Sequence, residues 1–311
     1  MAGIDIYAPR AAGQRRTWTV GVLVLTPVFL IVGVIGAVLL WNLVNIGGAK
    51  MAMSHAANAA TSTPFRQAFG TGAQFGLALL PLFLWIRVFE HGRLATIGLR
   101  GQPVLPFLRG IAGGLASFAL VAGGIVLFGG YRIAGPGAWA APTAATLLPL
   151  VWFGIAYIIQ GAAEEIFLRG WLLQTAASRY GKTAAVAISA LYFSLLHAVN
   201  IDLAPELAVA LVNLALMGVF LALYATNQGF LWGACGWHAA WNWTIASGFG
   251  LDVSGGGTAK SSALFTNLDI VKGASWWLTG GAFGPEGSVV ATVVLAAACL
   301  WAWARRRRAE I

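Results

Sequence analysis

Eight apolar runs, each long enough or nearly long enough to cross a bilayer, constrain the fold of this chain more than any other feature. A crossing helix needs about 20 mainly apolar residues. Such runs are found at 18–41, 71–89, 106–130, 143–168, 183–200, 206–226, 230–249 and 288–304. The fifth run is short enough to end below the membrane surface. We therefore predict an all-α, polytopic transmembrane helical bundle of about eight spans, forming one membrane domain over residues 1–311.

The composition excludes an ordinary soluble fold. Of the 311 residues, 59% are hydrophobic and 9% are charged, against roughly 25% charged residues in soluble domains. The first run is also longer than the apolar core of a secretory signal, which spans about 7 to 15 residues. Cys235 and Cys299 are far apart, each within an apolar segment, so they provide no disulfide framework. The chain is predicted to be an integral membrane protein whose first run is a true span.

The net charge of +9 is concentrated beside the apolar runs. Lys and Arg cluster at 10–16, 87–109, 169–182 and 305–308. Such flanking positions are typical of juxtamembrane anchors that contact anionic lipids, and they argue against nucleic-acid binding. Because basic connections are retained on the cytoplasmic side, both termini are predicted to be cytoplasmic. The predicted location is the inner membrane of a bacterium.

Two long connections are predicted on the side of the membrane opposite to the cytoplasmic termini. The segments 42–70 and 250–287 are rich in Gly, Ala, Ser, Thr and Asn, so both are predicted to be loops with little core of their own. Trp276 and Trp277 lie near the end of the second segment. Tryptophan in such a place is typical of an anchor at the lipid interface.

Two neighbouring acids lie in the fourth run. Glu165 and Arg169 are four residues apart and share a helix face, so an ion pair would keep that carboxylate ionised. Glu164 lies about 100° further around the helix and is free to point elsewhere. An unpaired, partly desolvated carboxylate is suited to take a proton from water. The alternative is a charge-paired helix end that is exposed to cytoplasmic water.

Two later runs carry polar side chains at helical spacing. His197 follows Phe193 by four residues, so the aromatic ring and the imidazole share a face. His238 and Asn242 have the same spacing, and donors that point together suit a developing oxyanion. The alternatives are a histidine that only packs, for His197, and interhelical hydrogen bonds for the other two.

In this order the three patterns resemble one family. Glu-Glu-x-x-x-Arg at 164–169, Phe-x-x-x-His at 193–197 and His-x-x-x-Asn at 238–242 are similar to the three motifs of the CPBP family. Its members are the CAAX-prenyl and bacteriocin-processing intramembrane endopeptidases. No position of the three motifs departs from the family pattern. The resemblance covers about 143–249, roughly the central third of the chain.

The resemblance implies a glutamate-dependent peptidase whose active site lies in a membrane cavity open to the cytoplasm. Glu164 would be the general base that activates water, and His197 would help to position that water. His238 and Asn242 would stabilise the tetrahedral oxyanion.

The resemblance also assigns supporting residues and a class of substrate. Glu165, Arg169 and Phe193 would support the site, and no cofactor or metal would be needed. The substrate would be a membrane-associated peptide or protein, which in some members carries a prenylated cysteine. Membrane lipids are the other expected partners, and no nucleic acid is expected.

Other chemistries remain open from the residues alone. A zinc peptidase would use His197, His238 and one glutamate, since three protein ligands are usual at a catalytic zinc, but the motif His-Glu-x-x-His is absent. A nucleophile would be Ser194 or Cys235, neither of which lies in a known nucleophile motif. A non-catalytic immunity factor, scaffold or transporter is the alternative from a different class.

Overall fold

A computed structural model describes residues 5–9, 11, 13–46, 58–200, 205–256 and 263–309. In these ranges the helices are α1 (Thr19–Ile46), α2 (Asn58–Val88), α3 (Val104–Leu127), α4 (Ala144–Glu165), α5 (Leu173–Leu196), α6 (Pro205–Gln228), α7 (Trp232–Trp243), the single turn α8 (Trp276–Thr279) and α9 (Val289–Ala309). The strands β1 (Tyr131–Pro136) and β2 (Thr266–Ile270) pair antiparallel.

Each predicted span coincides with a helix, and the predicted all-α membrane bundle is confirmed. Among the described residues, five helical stretches are long and apolar enough to cross a membrane. One of them, Ala144–Leu196, has 53 residues and contains two of the predicted spans as α4 and α5. The helix α7 is shorter, with 12 residues. The chain is therefore an integral membrane protein.

The prediction of a loop at 42–70 is wrong for all of its described residues. The helix α1 continues to Ile46 and α2 begins at Asn58, while 47–57 lie outside the described residues. Polar residues early in α2 line an internal cavity, which is why a helix contains them. The second predicted loop, 250–287, contains β2 and α8, and its residues 257–262 lie outside the described part.

The fourth helix extends beyond its predicted end. After Glu165 the chain continues through a π-helical segment, Ile166–Leu172, and then through α5 as far as Gly181. At Gly181 the backbone angles are φ 81° and ψ 169°, a conformation that favours glycine, and the chain turns back. The prediction that 169–182 is a basic connection is therefore wrong at its start. Arg169 is fully buried as an ion-pair partner and does not flank a span.

Glycines bring the helices α3 and α4 into backbone contact with α7. A Cβ atom at Gly110 of α3 would lie 2.1 Å from the carbonyl oxygen of Gly233 in α7. On the other side of α7, a Cβ at Gly161 of α4 would lie 2.9 Å from the backbone nitrogen of Ala239. Small residues allow such close approach between membrane helices. Helix α7 is thereby held tightly between α3 and α4, next to the two glutamates.

Successive long helices run in opposite directions, which defines two ends of the bundle. The described N-terminal residues and the end of α9 lie at one end, which we call the terminal end. The β1–β2 pair and the connection from α5 to α6 lie at the other, which we call the loop end. At the loop end, the hydroxyl of Tyr131 donates to the carbonyl of Thr279 at 2.7 Å and ties the strands to α8.

Candidate active site

A cavity of about 460 Å³ lies inside the bundle. It lies between α2 and the three helices that carry the motifs, α4, α5 and α7, which we call the motif helices. Five predicted site residues line it: Glu164, Phe193, His197, His238 and Asn242. The other two, Glu165 and Arg169, are fully buried. From the motif residues the cavity extends to the loop end, where Ser254 and Glu286 are part of its wall. The structure thus brings all seven predicted residues to one place, with five on the cavity wall.

Glu165 is the centre of a dry network. Its Oε1 accepts from Nη1 of Arg169 at 2.9 Å and from Nδ1 of His238 at 2.8 Å. All three side chains are at most 3% exposed. Hydrogen bonds between ionised groups are stronger than neutral ones, and breaking a buried ion pair is costly because it leaves an uncompensated charge. This network fixes the ring of His238 and links α4 to α7.

The N-terminal residues support the same segment from the terminal end. The hydroxyl of Tyr7 donates to the carbonyl of Arg169 at 2.6 Å. The backbone nitrogens of Ile6 and Tyr7 both contact Oε1 of Gln174, at 2.9 and 3.3 Å. Burial, and then the nearby carboxylate of Glu165, raises the pKa of Tyr7 above its ordinary value, so its hydroxyl stays a donor. A carbonyl of the irregular π-helical turn therefore has a partner.

Glu164, which directly precedes Glu165 in the chain, faces the cavity. Its Oε1 accepts from the amide nitrogen of Gln160 at 3.2 Å. Its Oε2 is buried and has no hydrogen-bond partner among the described residues, and it lies 3.8 Å from Nε2 of His238. A buried acceptor without a partner is costly and calls for a water or a ligand. Oε2 of Glu165 also lacks a partner there, but Glu165 is fully buried and does not line the cavity, so Glu164 is the carboxylate that is open to reaction.

The ring of Phe193 contacts both histidines and the arginine. Its ring contacts His197 at 4.7 Å and His238 at 5.9 Å between centroids, edge to face in both cases. The guanidinium carbon of Arg169 lies 4.4 Å from the ring centroid. Nδ1 of His197 lies 2.8 Å from the carbonyl of Phe193. Because a carbonyl only accepts, Nδ1 carries the proton, and Nε2 of the neutral ring is an acceptor.

Asn242 lies one turn after His238 on the same wall and is 4% exposed. Directly after α7 the chain forms a second π-helical segment, Thr244–Gly248. Such segments are rare and are frequent at functional sites. Here one segment follows the glutamates and the other follows Asn242, so the chain changes its winding after both α4 and α7, beside the cavity.

Ser194 and Cys235, the two alternative nucleophiles, occupy structural positions in the bundle. The hydroxyl of Ser194 donates to the carbonyl of Leu211 at 2.7 Å. Cys235 is 1% exposed and is not part of the cavity wall. Within the described ranges, no group of three or more His, Cys, Asp or Glu side chains is arranged to hold a metal ion. The need for a cofactor stays a question for experiment.

Two residues at the cavity were not found by sequence reasoning. Gln160 precedes Glu164 by four residues, and that spacing was the available signal. Glu286 is 3% exposed. Its carboxylate accepts from Nε1 of Trp241 at 2.9 Å and from the backbone nitrogen and hydroxyl of Ser254, both at 2.7 Å. No sequence pattern indicated it, because its partners are distant in the chain.

Comparison with known protein families gives a match over the segment that contains these site residues. Residues 146–244 match the family model described as type II CAAX prenyl endopeptidase Rce1-like. The matched segment contains all seven predicted site residues. The resemblance to the CPBP family is thereby confirmed. No curated protein and no solved structure matches the chain. At the level of the family, the match supports a CAAX-type intramembrane peptidase that acts on a peptide or protein.

Proposed function

We propose that this membrane protein with an Rce1-like segment is an endopeptidase in which Glu164 activates the hydrolytic water. One observation carries the proposal. Both carboxylates keep an Oε2 without a hydrogen-bond partner among the described residues. Glu165, however, is fully buried with its Oε1 held by Arg169 and His238, whereas Glu164 lies on the cavity wall. A general base needs a free lone pair within reach of the water that it deprotonates. Of the two glutamates, only Glu164 lines the cavity that a water and a substrate would enter.

The proposed reaction balances without a cofactor. Glu164 takes one proton from a cavity water as the water oxygen bonds to the scissile carbonyl carbon. The resulting oxyanion accepts hydrogen bonds from Nε2 of His238 and from the amide of Asn242. Collapse of the intermediate breaks the C–N bond, and the proton on Glu164 passes to the leaving amine. Nε2 of His197 accepts from the same water and orients it.

The oxyanion role of His238 sets a requirement on its protonation. Nδ1 already donates to Glu165, so Nε2 donates to an oxyanion only when the ring holds both protons. In that state the charges of Glu164 and Glu165 are balanced by those of Arg169 and His238. Buried charges are tolerated when they are paired in this way. The four groups therefore form a neutral set before water is activated.

The cavity suits a substrate with an apolar part. Aromatic and aliphatic side chains contribute to its wall, among them Phe75, Phe153, Phe167 and Met217. Ligand cavities are commonly apolar, with a few polar groups that fix orientation. We propose a membrane-associated or prenylated peptide as substrate, in the inner membrane of a bacterium and in contact with membrane lipids.

The side of the membrane to which the cavity extends depends on how the protein is oriented in the bilayer. The cavity wall extends from Glu164 toward the loop end, away from the terminal end. Cytoplasmic termini would therefore direct the cavity toward the periplasm, and an opening to the cytoplasm would need the reverse orientation. The arginine bias favours cytoplasmic termini. A reporter fused after Arg308 decides between the two, because a periplasmic signal would reverse the predicted orientation.

The test of function compares purified wild type with Glu164→Gln in liposomes. Both are incubated with short peptides, with and without a prenylated cysteine, and the products are identified by mass spectrometry. We expect cleavage by the wild type alone, and the cut site gives the substrate class. Equal cleavage by Glu164→Gln would remove the base assignment. No cleavage by folded wild type would instead favour a binding, immunity or transport role.

A further inference from the structure

A stripe of polar residues on α2 faces the motif residues across the cavity. The helix α2 is the least apolar of the five long stretches and lies outside the segment that matches the family model. Its residues Gln67, Thr71 and Gln74 all line the cavity. Spacings of four and three residues place them on one helix face. Polar groups inside membrane helices are costly, and they commonly mark a substrate pathway.

Close packing fixes the direction of this stripe. On one side, a Cβ at Gly72 would lie 3.7 Å from Cα of Ala156 in α4. On the other side, a Cβ at Gly33 of α1 would lie 2.2 Å from the carbonyl oxygen of Gln74, so only glycine permits this approach. Helix α2 therefore cannot rotate its polar face away from the cavity without separating from α1 and α4.

The protein itself leaves hydrogen-bonding capacity unused at this wall. Over the described part of the chain, the side chains of Thr71 and Gln74 make no hydrogen bond. Gln160 of α4 adds a buried Oε1 without a partner on the same cavity. An amide offers two donors and an acceptor, and a hydroxyl offers both functions. These uncharged groups match the alternating N–H and C=O groups of an extended peptide.

We propose that Thr71 and Gln74 bind the main chain of the substrate beside the scissile bond. The proposal rests on the endopeptidase function proposed above. A peptide that lies between α2 and the motif helices pairs its backbone with α2 and presents a carbonyl carbon to Glu164. Backbone hydrogen bonds provide affinity without reading sequence, and side-chain pockets provide the selectivity. The wall thus tolerates changes in the substrate side chains near the cut.

Two near-isosteric variants test the wall. Thr71→Val and Gln74→Met keep side-chain size and remove hydrogen bonding, and Thr63→Val on the same helix, exposed and away from the cavity, is the matched control. The probe is a quenched fluorescent peptide that ends in S-farnesylcysteine and three further residues. We expect each cavity variant to raise KM by roughly three- to tenfold, with kcat unchanged because the contact is equal in ground and transition states. The control should match wild type.

A second measurement separates backbone recognition from a general effect on the cavity. Single N-methyl groups are placed along the probe, each removing one backbone N–H. The N-methyl group that costs wild type the most should cost Gln74→Met or Thr71→Val far less, since the contact is already lost. Such non-additivity identifies a direct pair. Losses that simply add would overturn the proposal.

The outcomes also separate this proposal from the function on which it rests. If wild-type cleavage is lost in Glu164→Gln and KM is unchanged in both cavity variants, substrate binding by Thr71 and Gln74 is refuted. The proposed endopeptidase function is then retained. Absence of wild-type cleavage, together with absence of crosslinking to the probe from a photoreactive residue at position 71, overturns both. A rise in KM that accompanies equal rises for Thr63→Val would show a defect in folding and would likewise overturn the wall.

Discussion

Glu164 and Glu165 are adjacent on α4, yet their side chains lie in two different environments. Glu165 is 0% exposed and is bonded to a guanidinium and an imidazole. Glu164 is 9% exposed and lies on the cavity wall. Each carboxylate keeps its Oε2 without a partner among the described residues, but only Glu164 lines the cavity. One step of about 100° around a helix separates the two environments. The same side chain is thus structural on one face and available for chemistry on the other.

This difference has a physical cause in the packing of α7. Gly161 lets α7 approach α4 closely, and His238 then reaches Glu165 with Nδ1 while its Nε2 points toward Glu164. One imidazole therefore spans the boundary between the dry network and the cavity. Such an arrangement transmits the rigidity of the buried ion pair to the residues proposed to act on substrate.

The largest expected effect comes from removing the charge on each glutamate in turn. We expect Glu164→Gln to lower kcat by roughly 10² to 10⁴, the usual contribution of a general base, with no change in thermal stability. Glu165→Gln should instead lower the melting temperature, because Arg169 loses its buried partner. Peptidase assays and thermal unfolding in detergent measure the two effects. Equal loss of stability in both variants would contradict the contrast between the two faces.

The variant Arg169→Ala tests the buried network around Glu165 directly. It removes the guanidinium that pairs with the buried carboxylate of Glu165, and breaking such a pair costs about 3–5 kcal/mol. We expect lower accumulation and a lower melting temperature. The double variant Glu165→Gln with Arg169→Met is the control, since it removes both charges and should be more stable than Arg169→Ala. An Arg169→Ala protein that accumulates normally with full activity would refute the structural role.

Much of this site was predictable from local spacing, because helices convert separations of four residues into contacts. Glu165 with Arg169 meets this expectation at 2.9 Å, and Phe193 with His197 meets it through ring contact. The pairing of His238 with Glu165 was not predicted, since it depends on how α7 approaches α4. The roles of the individual residues in catalysis stay predictions that the structure alone does not test.

The errors at the level of the fold have one origin. Sequence reasoning treated polar residues as markers of loops or helix ends, so 58–70 was predicted as loop and Arg169 as the start of a connection. Both lie inside helices, because an internal cavity and a buried ion pair accommodate polar groups within a membrane bundle. A hydropathy pattern does not distinguish an inward polar face from a boundary. Packing makes that distinction.

A smaller effect is expected at the cavity face from Gln160→Leu. The amide donates to Oε1 of Glu164 and so holds the carboxylate with Oε2 toward the cavity. Loss of a hydrogen bond to a charged group should lower kcat by roughly tenfold to a hundredfold, well short of Glu164→Gln. Ile158→Leu, on the exposed face of the same helix, is the matched control and should behave as wild type. An unchanged kcat would show that Glu164 needs no orienting partner.

The smallest expected effect is that of a chelator, which tests whether Glu164 acts as a base or as a metal ligand. Zinc at a catalytic site takes three protein ligands. Nδ1 of His238 is engaged by Glu165, and Nδ1 of His197 is engaged by the carbonyl of Phe193, so each ring has only Nε2 to offer. We expect millimolar EDTA or phenanthroline, followed by dialysis, to leave kcat and KM unchanged. Loss of activity that zinc restores, and cobalt restores with a visible absorption band, would show that Glu164 and both Nε2 atoms converge on a metal. The unpartnered oxygen of Glu164 would then be a ligand position, and the water would be activated by the metal in place of the carboxylate.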